Sequence, residues 1–287
     1  MTTRPSLQGA WRPWQSRRYT TERLYSLRTS QRAWRAEKDK NDMNKWQNKK
    51  FVFLGDSITF GAGTTKRYFD YLKDDLGIIP YGFGIDGASY STVYQSEIES
   101  AAKEVPDADC VVVFAGTNDF NGGVPIGEFF TETLDDVVLY RDETGNPTTT
   151  ERRKKRDFIY SDETFCGRLN KVFSFLKTKY ADKQIIVMTP LHRAYACFAK
   201  DNIQYNELYA NGSGLFLESY VEAIRKAADI WSLNLIDLYR ESGLFPLIDE
   251  YGKYFANDKT DRLHPNEKGH ERIAKLLAEK LACIPVL

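Results

Sequence analysis

Ser57 follows Gly55 and Asp56 directly behind the apolar run Phe51-Val52-Phe53-Leu54, and near the far end of the chain Asp261 and His264 stand three positions apart. Between them, Gly116-Thr117-Asn118-Asp119 closes a second apolar run, Val111 to Ala115. A hydroxyl, an imidazole, a carboxylate and a side-chain amide are the parts that acyl transfer requires. The serine is a weak nucleophile until a base takes its proton, the carboxylate orients that base, and N–H donors stabilise the oxyanion that forms. Each part alone is ordinary, since a serine after a strand serves turns and an asparagine at a strand end usually caps. Together, in segments so far apart, they are informative.

These residues need a scaffold that delivers them to one place. Phe51 to Leu54 reads as a strand buried on both faces, and in open α/β sheets ligands gather beyond the carboxyl ends of strands. Further strands are expected over Ile79 to Gly84, Cys110 to Ala115, Gln184 to Thr189 and Leu233 to Ile236. Helical spacing lies between them over Tyr68 to Leu76, from about Ser89 to Ala102, over Thr164 to Tyr180 and Leu215 to Trp231, and finally from Pro265 to Ala282. This alternation predicts a three-layer α/β/α sandwich around a flavodoxin-like five-stranded parallel sheet. A Gly-x-Ser-x-Gly elbow is absent because Thr59 stands two after Ser57, and that argues against the α/β-hydrolase fold. Phe120 to Asp162 shows no regular pattern and is expected to be an irregular insertion, its basic run Arg152 to Arg156 a solvated face, a lid over the site or a subunit contact.

Charge divides the chain. Of 40 Lys and Arg, 13 fall in the first fifty residues against 4 of the 40 Asp and Glu, leaving 27 basic and 36 acidic side chains in the other 237. The body is thus mildly acidic, which speaks against a nucleic-acid partner. Residues 1–48 read as a basic, Trp-rich, poorly ordered extension preceding a catalytic domain over 49–287, with Met43 expected as the natural start. The four cysteines have neither CxxC nor metal-ligand spacing, so no metal or other cofactor is expected. No apolar run approaches membrane-spanning length and no secretory leader is visible, so a cytoplasmic protein without a membrane partner is expected.

The blocks named above, in this order, resemble those of the SGNH hydrolases in the GDSL esterase and lipase superfamily. Gly55-Asp56-Ser57-Ile58 is similar to the first block, with Ile for the usual Leu; Gly87 matches the second, Gly116 to Asp119 the third, and Asp261 to His264 the last. The match runs from Lys50 to about Leu281. It implies the same fold, Ser57 as nucleophile, His264 as base and Asp261 as its orienting acid. It also implies an oxyanion hole made by the Ser57 and Gly87 amides and the Asn118 side chain. Asp119 is expected, on its place in the loop, to brace it rather than react. Asp56, His192 and Tyr195 are expected to line the substrate pocket, and Asn121, Tyr205 and Tyr209 suit a sugar. The expected reaction is hydrolysis of a short acyl ester, acetyl first, on a carbohydrate or other small polar alcohol. The alternatives are a lipase or thioesterase of the same superfamily, or a non-catalytic glycan-binding protein on that fold.

Overall fold

A computed structural model describes residues 45–287, so the expectations for the first 44 residues lie outside the described part. Five parallel strands form the central sheet: β1 (Lys50–Gly55), β2 (Ile79–Gly82), β3 (Cys110–Phe114), β4 (Gln184–Met188) and β5 (Asn234–Ile236), in the spatial order 2-1-3-4-5. Side chains alternate across a strand, so each strand feeds two cores. Val52, Leu54, Val111, Val113, Ile185 and Val187 pack on one side with the helices Phe165–Lys179 and Leu217–Trp231. Phe51, Phe53, Val112, Phe114, Ile186 and Met188 pack on the other with Tyr68–Leu76 and Glu267–Cys283. The fold is the three-layer α/β/α sandwich that the alternation of elements predicts.

The body starts earlier than residue 49. Trp46, which the sequence reading assigned to the extension, is 1% exposed, donates its indole N–H to the Leu281 carbonyl at 3.0 Å and meets Phe51 edge to face. It ties the entry to β1 onto the end of the last helix.

Two elements differ from expectation. Phe120 to Asp162 contains not an irregular insertion but a long antiparallel hairpin, Phe130–Arg141 against Pro147–Phe158, in register from Phe130↔Phe158 to Val138↔Thr150 and irregular beyond, towards Arg141↔Pro147. Its strands escaped notice because they lack apolar alternation and the second is largely charged; cross-strand pairs such as Glu132 with Arg156 and Asp135 with Lys155 replace a buried face. The arm is rooted in the body by Phe158 against Trp231 and by the Asn170 amide, which donates to the Phe129 and Ile159 carbonyls. Asp261–Pro265 is a strand rather than the approach to a helix starting at Pro265; Asn266 caps that helix, which begins at Glu267. This last strand pairs with Phe255–Asn257 on one side and Ala196–Ala199 on the other. Among the described residues no helix is long and apolar enough to cross a membrane.

Trp46→Ala should lower the unfolding free energy by about 3 to 5 kcal/mol, as removal of a fully buried aromatic does. A urea midpoint unchanged from that of the parent would show that this residue is not part of the core.

Candidate active site

The turn that carries Ser57 begins at Gly55, where φ is +156° and an added Cβ would lie 2.1 Å from the Phe114 carbonyl oxygen. A glycine is required for β1 and β3 to close on each other there. The Asp56 carboxylate accepts the Ile58 N–H at 3.0 Å and so caps the helical turn Ser57–Phe60. Ser57 is the first residue of that turn, and its own N–H has no partner among the described residues.

Across 207 positions of sequence, His264 brings Nε2 to 2.9 Å from Ser57 Oγ, while its Nδ1 lies 2.9 Å from Asp261 Oδ2. The other Asp261 oxygen accepts the N–H groups of Leu263 at 3.1 Å and His264 at 3.0 Å. A carboxylate can only accept, so Nδ1 carries the proton and Nε2 presents its lone pair to the hydroxyl. Burial works to raise the Asp261 carboxyl, but the hydrogen bonds and charge from His264, with the backbone donors, outweigh it and hold the group below its ordinary range. Asp261 is thereby kept as the anion an imidazolium needs beside it.

Gly87 adopts φ +75°, and its N–H, like that of Ser57, has no partner among the described residues. Asn118 donates one amide hydrogen to the Ala88 carbonyl at 3.0 Å, which fixes the side chain and leaves the second hydrogen available. Asp119, fully buried, accepts from the Tyr90 amide at 2.9 Å and from Arg168 at 2.8 Å, binding the loops that carry Gly87 and Asn118 to one helix. Ser57, Gly87, Asn118, Asp261 and His264 border one cavity of about 440 Å³, lined also by Gly63, Asp86, Phe198, Asn202 and Gln204.

The three side chains expected to line the pocket do not border this cavity. Asp56 points into the protein, and its burial, opposed by the Ile58 N–H, pushes its carboxyl up to about 7. His192 bonds Glu207 through Nδ1 at 2.6 Å and stacks on Tyr239; its acidic partner lies fifteen positions on, too far to notice by sequence proximity. Tyr195 faces a separate hollow with Asn206 and Arg262. Asn121, Tyr205 and Tyr209 are likewise absent from the wall of the Ser57 cavity, as is every residue of the charged arm.

Sequence reading missed the wall formed by Ala196–Ala199 and Asn202–Gln204, two short antiparallel strands that contribute Phe198, Asn202 and Gln204. It also missed the buried charges behind the site. Arg193, 1% exposed, donates to Thr117 Oγ1 at 3.1 Å and to Gln204 Oε1 at 2.7 Å; burial lowers its guanidinium to about 10, leaving it cationic at neutrality. Glu97, in a π-helical turn over Val93–Glu97, accepts the Gly55 N–H at 2.7 Å, and burial raises its carboxyl to about 8. π-turns are rare and recur at functional sites. Nothing in the sequence around these two residues marks them, because their partners come from other elements.

The sequence profile of the GDSL-like lipase/acylhydrolase family matches residues 53–272. The chain belongs to this family. Membership makes it a hydrolase of carboxylic esters by class. Among solved structures, a protein from Lactobacillus plantarum is 23% identical, with 83% of this chain and 98% of that one covered and a TM-score of 0.61. A protein from Chitinophaga pinensis described as a "possible lipase" is 20% identical over 80% and 96%, TM-score 0.59. A member of the lipolytic G-D-S-L family from Veillonella parvula is 16% identical over 80% and 96%, TM-score 0.51. At such identity these three speak to the GDSL fold. Comparison with curated protein sequences gives no significant match. Among the described residues, no group of three or more His, Cys, Asp or Glu side chains is arranged to hold a metal ion.

The raised Glu97 carboxyl makes a signed prediction about pH. Between the unfolded value near 4.5 and the folded value of about 8, the native state binds the extra proton, so this residue's contribution to stability declines as pH rises through that window. Glu97→Gln keeps an acceptor for Gly55 and cannot ionise. Its stability relative to the parent should therefore rise from pH 5 to about pH 8 and level off above, in urea denaturation followed at each pH; parallel curves would contradict the assignment.

Proposed function

We propose that this member of the GDSL family is a serine esterase that removes short acyl groups, acetyl first among them, from a carbohydrate or related polar alcohol. The reading rests on the unbroken hydrogen-bonded chain from Asp261 through His264 to Ser57 Oγ at the cavity floor. In this mechanism His264 Nε2 takes the Ser57 proton as Oγ attacks the ester carbonyl, and Asp261 stabilises the imidazolium. Negative charge develops on the former carbonyl oxygen, where the unpartnered N–H groups of Ser57 and Gly87 and the second Asn118 amide hydrogen would receive it. Collapse expels the alcohol with the proton from His264 and leaves an acyl-serine. Water, deprotonated by the same imidazole, then releases the acid and restores the hydroxyl.

Two features support a small polar substrate. The cavity volume of about 440 Å³ suits a compact ligand. Its wall carries the Asp86 carboxylate and the amides of Asn118, Asn202 and Gln204, groups that match hydroxyls and ring oxygens better than a hydrocarbon chain. One aromatic, Phe198, lies against His264 with ring centroids 5.2 Å apart.

Hydrolysis of p-nitrophenyl acetate tests the roles directly. Ser57→Ala should lower kcat by at least ~10⁴-fold, and Asn118→Ala by roughly 10² to 10³-fold with KM little altered. Equal rates for Ser57→Ala and the parent would remove Ser57 from the chemistry. Across p-nitrophenyl esters from acetyl to octanoyl, kcat/KM should fall with chain length, and a rise would favour the lipase reading.

A further inference from the structure

Gln204 sits at the end of the strand Asn202–Gln204, whose alternation puts Asn202 and Gln204 on the face that lines the Ser57 cavity while Ile203 points away and is 53% exposed. An unrestrained glutamine could present either its oxygen or its nitrogen to a ligand. Here the choice is made by Arg193, whose guanidinium holds Gln204 Oε1 at 2.7 Å. A guanidinium has donors and no acceptor, so the carbonyl end must face it and the NH₂ end is turned outward. The same buried arginine grips Thr117 Oγ1 at 3.1 Å, one residue before Asn118, and the Tyr205 carbonyl at 3.3 Å. Gln204 is thus fixed relative to Asn118 before any substrate arrives, and such preorganisation favours binding.

The position of this wall tells which part of an ester it would meet. The strand Asn202–Gln204 pairs with Ala196–Ala199, which pairs with the His264 strand, and Phe198 rests on the His264 ring. His264 must hand its proton to the departing alcohol, so the alcohol leaves along the His264 side. Building on the esterase reading, we infer that Gln204 is a specificity-determining donor. Its amide N–H groups, aimed by Arg193 into the cavity, bind an acceptor oxygen on the alcohol part of the ester, as a glycoside's hydroxyl or ring oxygen would supply. An alcohol that is pure hydrocarbon leaves these donors unpaired and is selected against.

Three acetates probe this in the full-length protein: an acetylated methyl glycoside, hexyl acetate and p-nitrophenyl acetate. The parent should prefer the glycoside acetate over hexyl acetate by about tenfold or more in kcat/KM, the scale of one well-made hydrogen bond. Gln204→Met removes the donors at similar length. Gln204→Glu keeps an oxygen for Arg193 and replaces the donors with an acceptor, which covers the case of a Met variant that does not fold. Both should lose about tenfold on the glycoside acetate, mainly through KM, with a much smaller change on hexyl acetate. A parent that shows no preference, or a preference that survives in both variants, overturns the role of Gln204 while leaving the esterase reading intact. No turnover of any of the three acetates by the parent sinks the esterase reading and this inference with it.

Discussion

The hydrogen bond between His264 Nε2 and Ser57 Oγ joins segments 207 residues apart, and the rest of the architecture serves to keep it 2.9 Å long. Ser57 is placed by β1, an inner strand of the sheet, through a glycine that allows the backbone to close on Phe114. His264 is placed by a strand outside that sheet, paired on both edges and followed by a helix whose far end is pinned to Trp46. Two supports from different sheets, tied together through Trp46, meet at one contact. That arrangement is how a packed protein fixes side chains to a fraction of an ångström.

Behind the cavity lies an unusual concentration of buried ionisable groups: Asp56, Glu97, Asp119 and Arg193. Each costs desolvation and each is tied to a partner, local for Asp56 and on another element for Glu97, Asp119 and Arg193. Asp56 caps the turn that carries Ser57, Glu97 holds the Gly55 amide that precedes it, Asp119 joins the loops of Gly87 and Asn118, and Arg193 joins Thr117 to the flanking wall. Hydrophobic packing is non-directional and would tolerate small slippage between these loops. Buried polar hydrogen bonds do not, because a displaced partner leaves an unsatisfied donor or acceptor.

The charged arm illustrates the opposite economy. An isolated two-stranded hairpin is marginal in water, and this one substitutes cross-strand ion pairs and a rooted aromatic base for a sheet on either side. Its sequence therefore reads as irregular, since the period-two apolar signal exists to bury a face and here no face is buried. The short strands around the cavity were missed for a related reason. Three or four residues are too few to show a period, and those strands form because neighbours elsewhere in the chain offer them edges.

Local sequence determined the inner strands β1, β3 and β4, the helices that cover them and the fold class, because burial on both faces of a parallel sheet writes apolar runs closed by a glycine or proline; the edge strands β2 and β5 are short and only partly buried. It also nominated Ser57, Asn118, Asp261 and His264, each beside a strand end or a turn whose residue types betray it. Tertiary structure decided the rest. Asp56 turned inward as a cap, His192 found Glu207, Tyr195 faced another hollow, and Gln204 and Arg193 came to the site from a stretch with no motif. Which way a side chain faces and what it meets depend on partners that the linear chain keeps far away, and packing alone brings them within hydrogen-bonding reach.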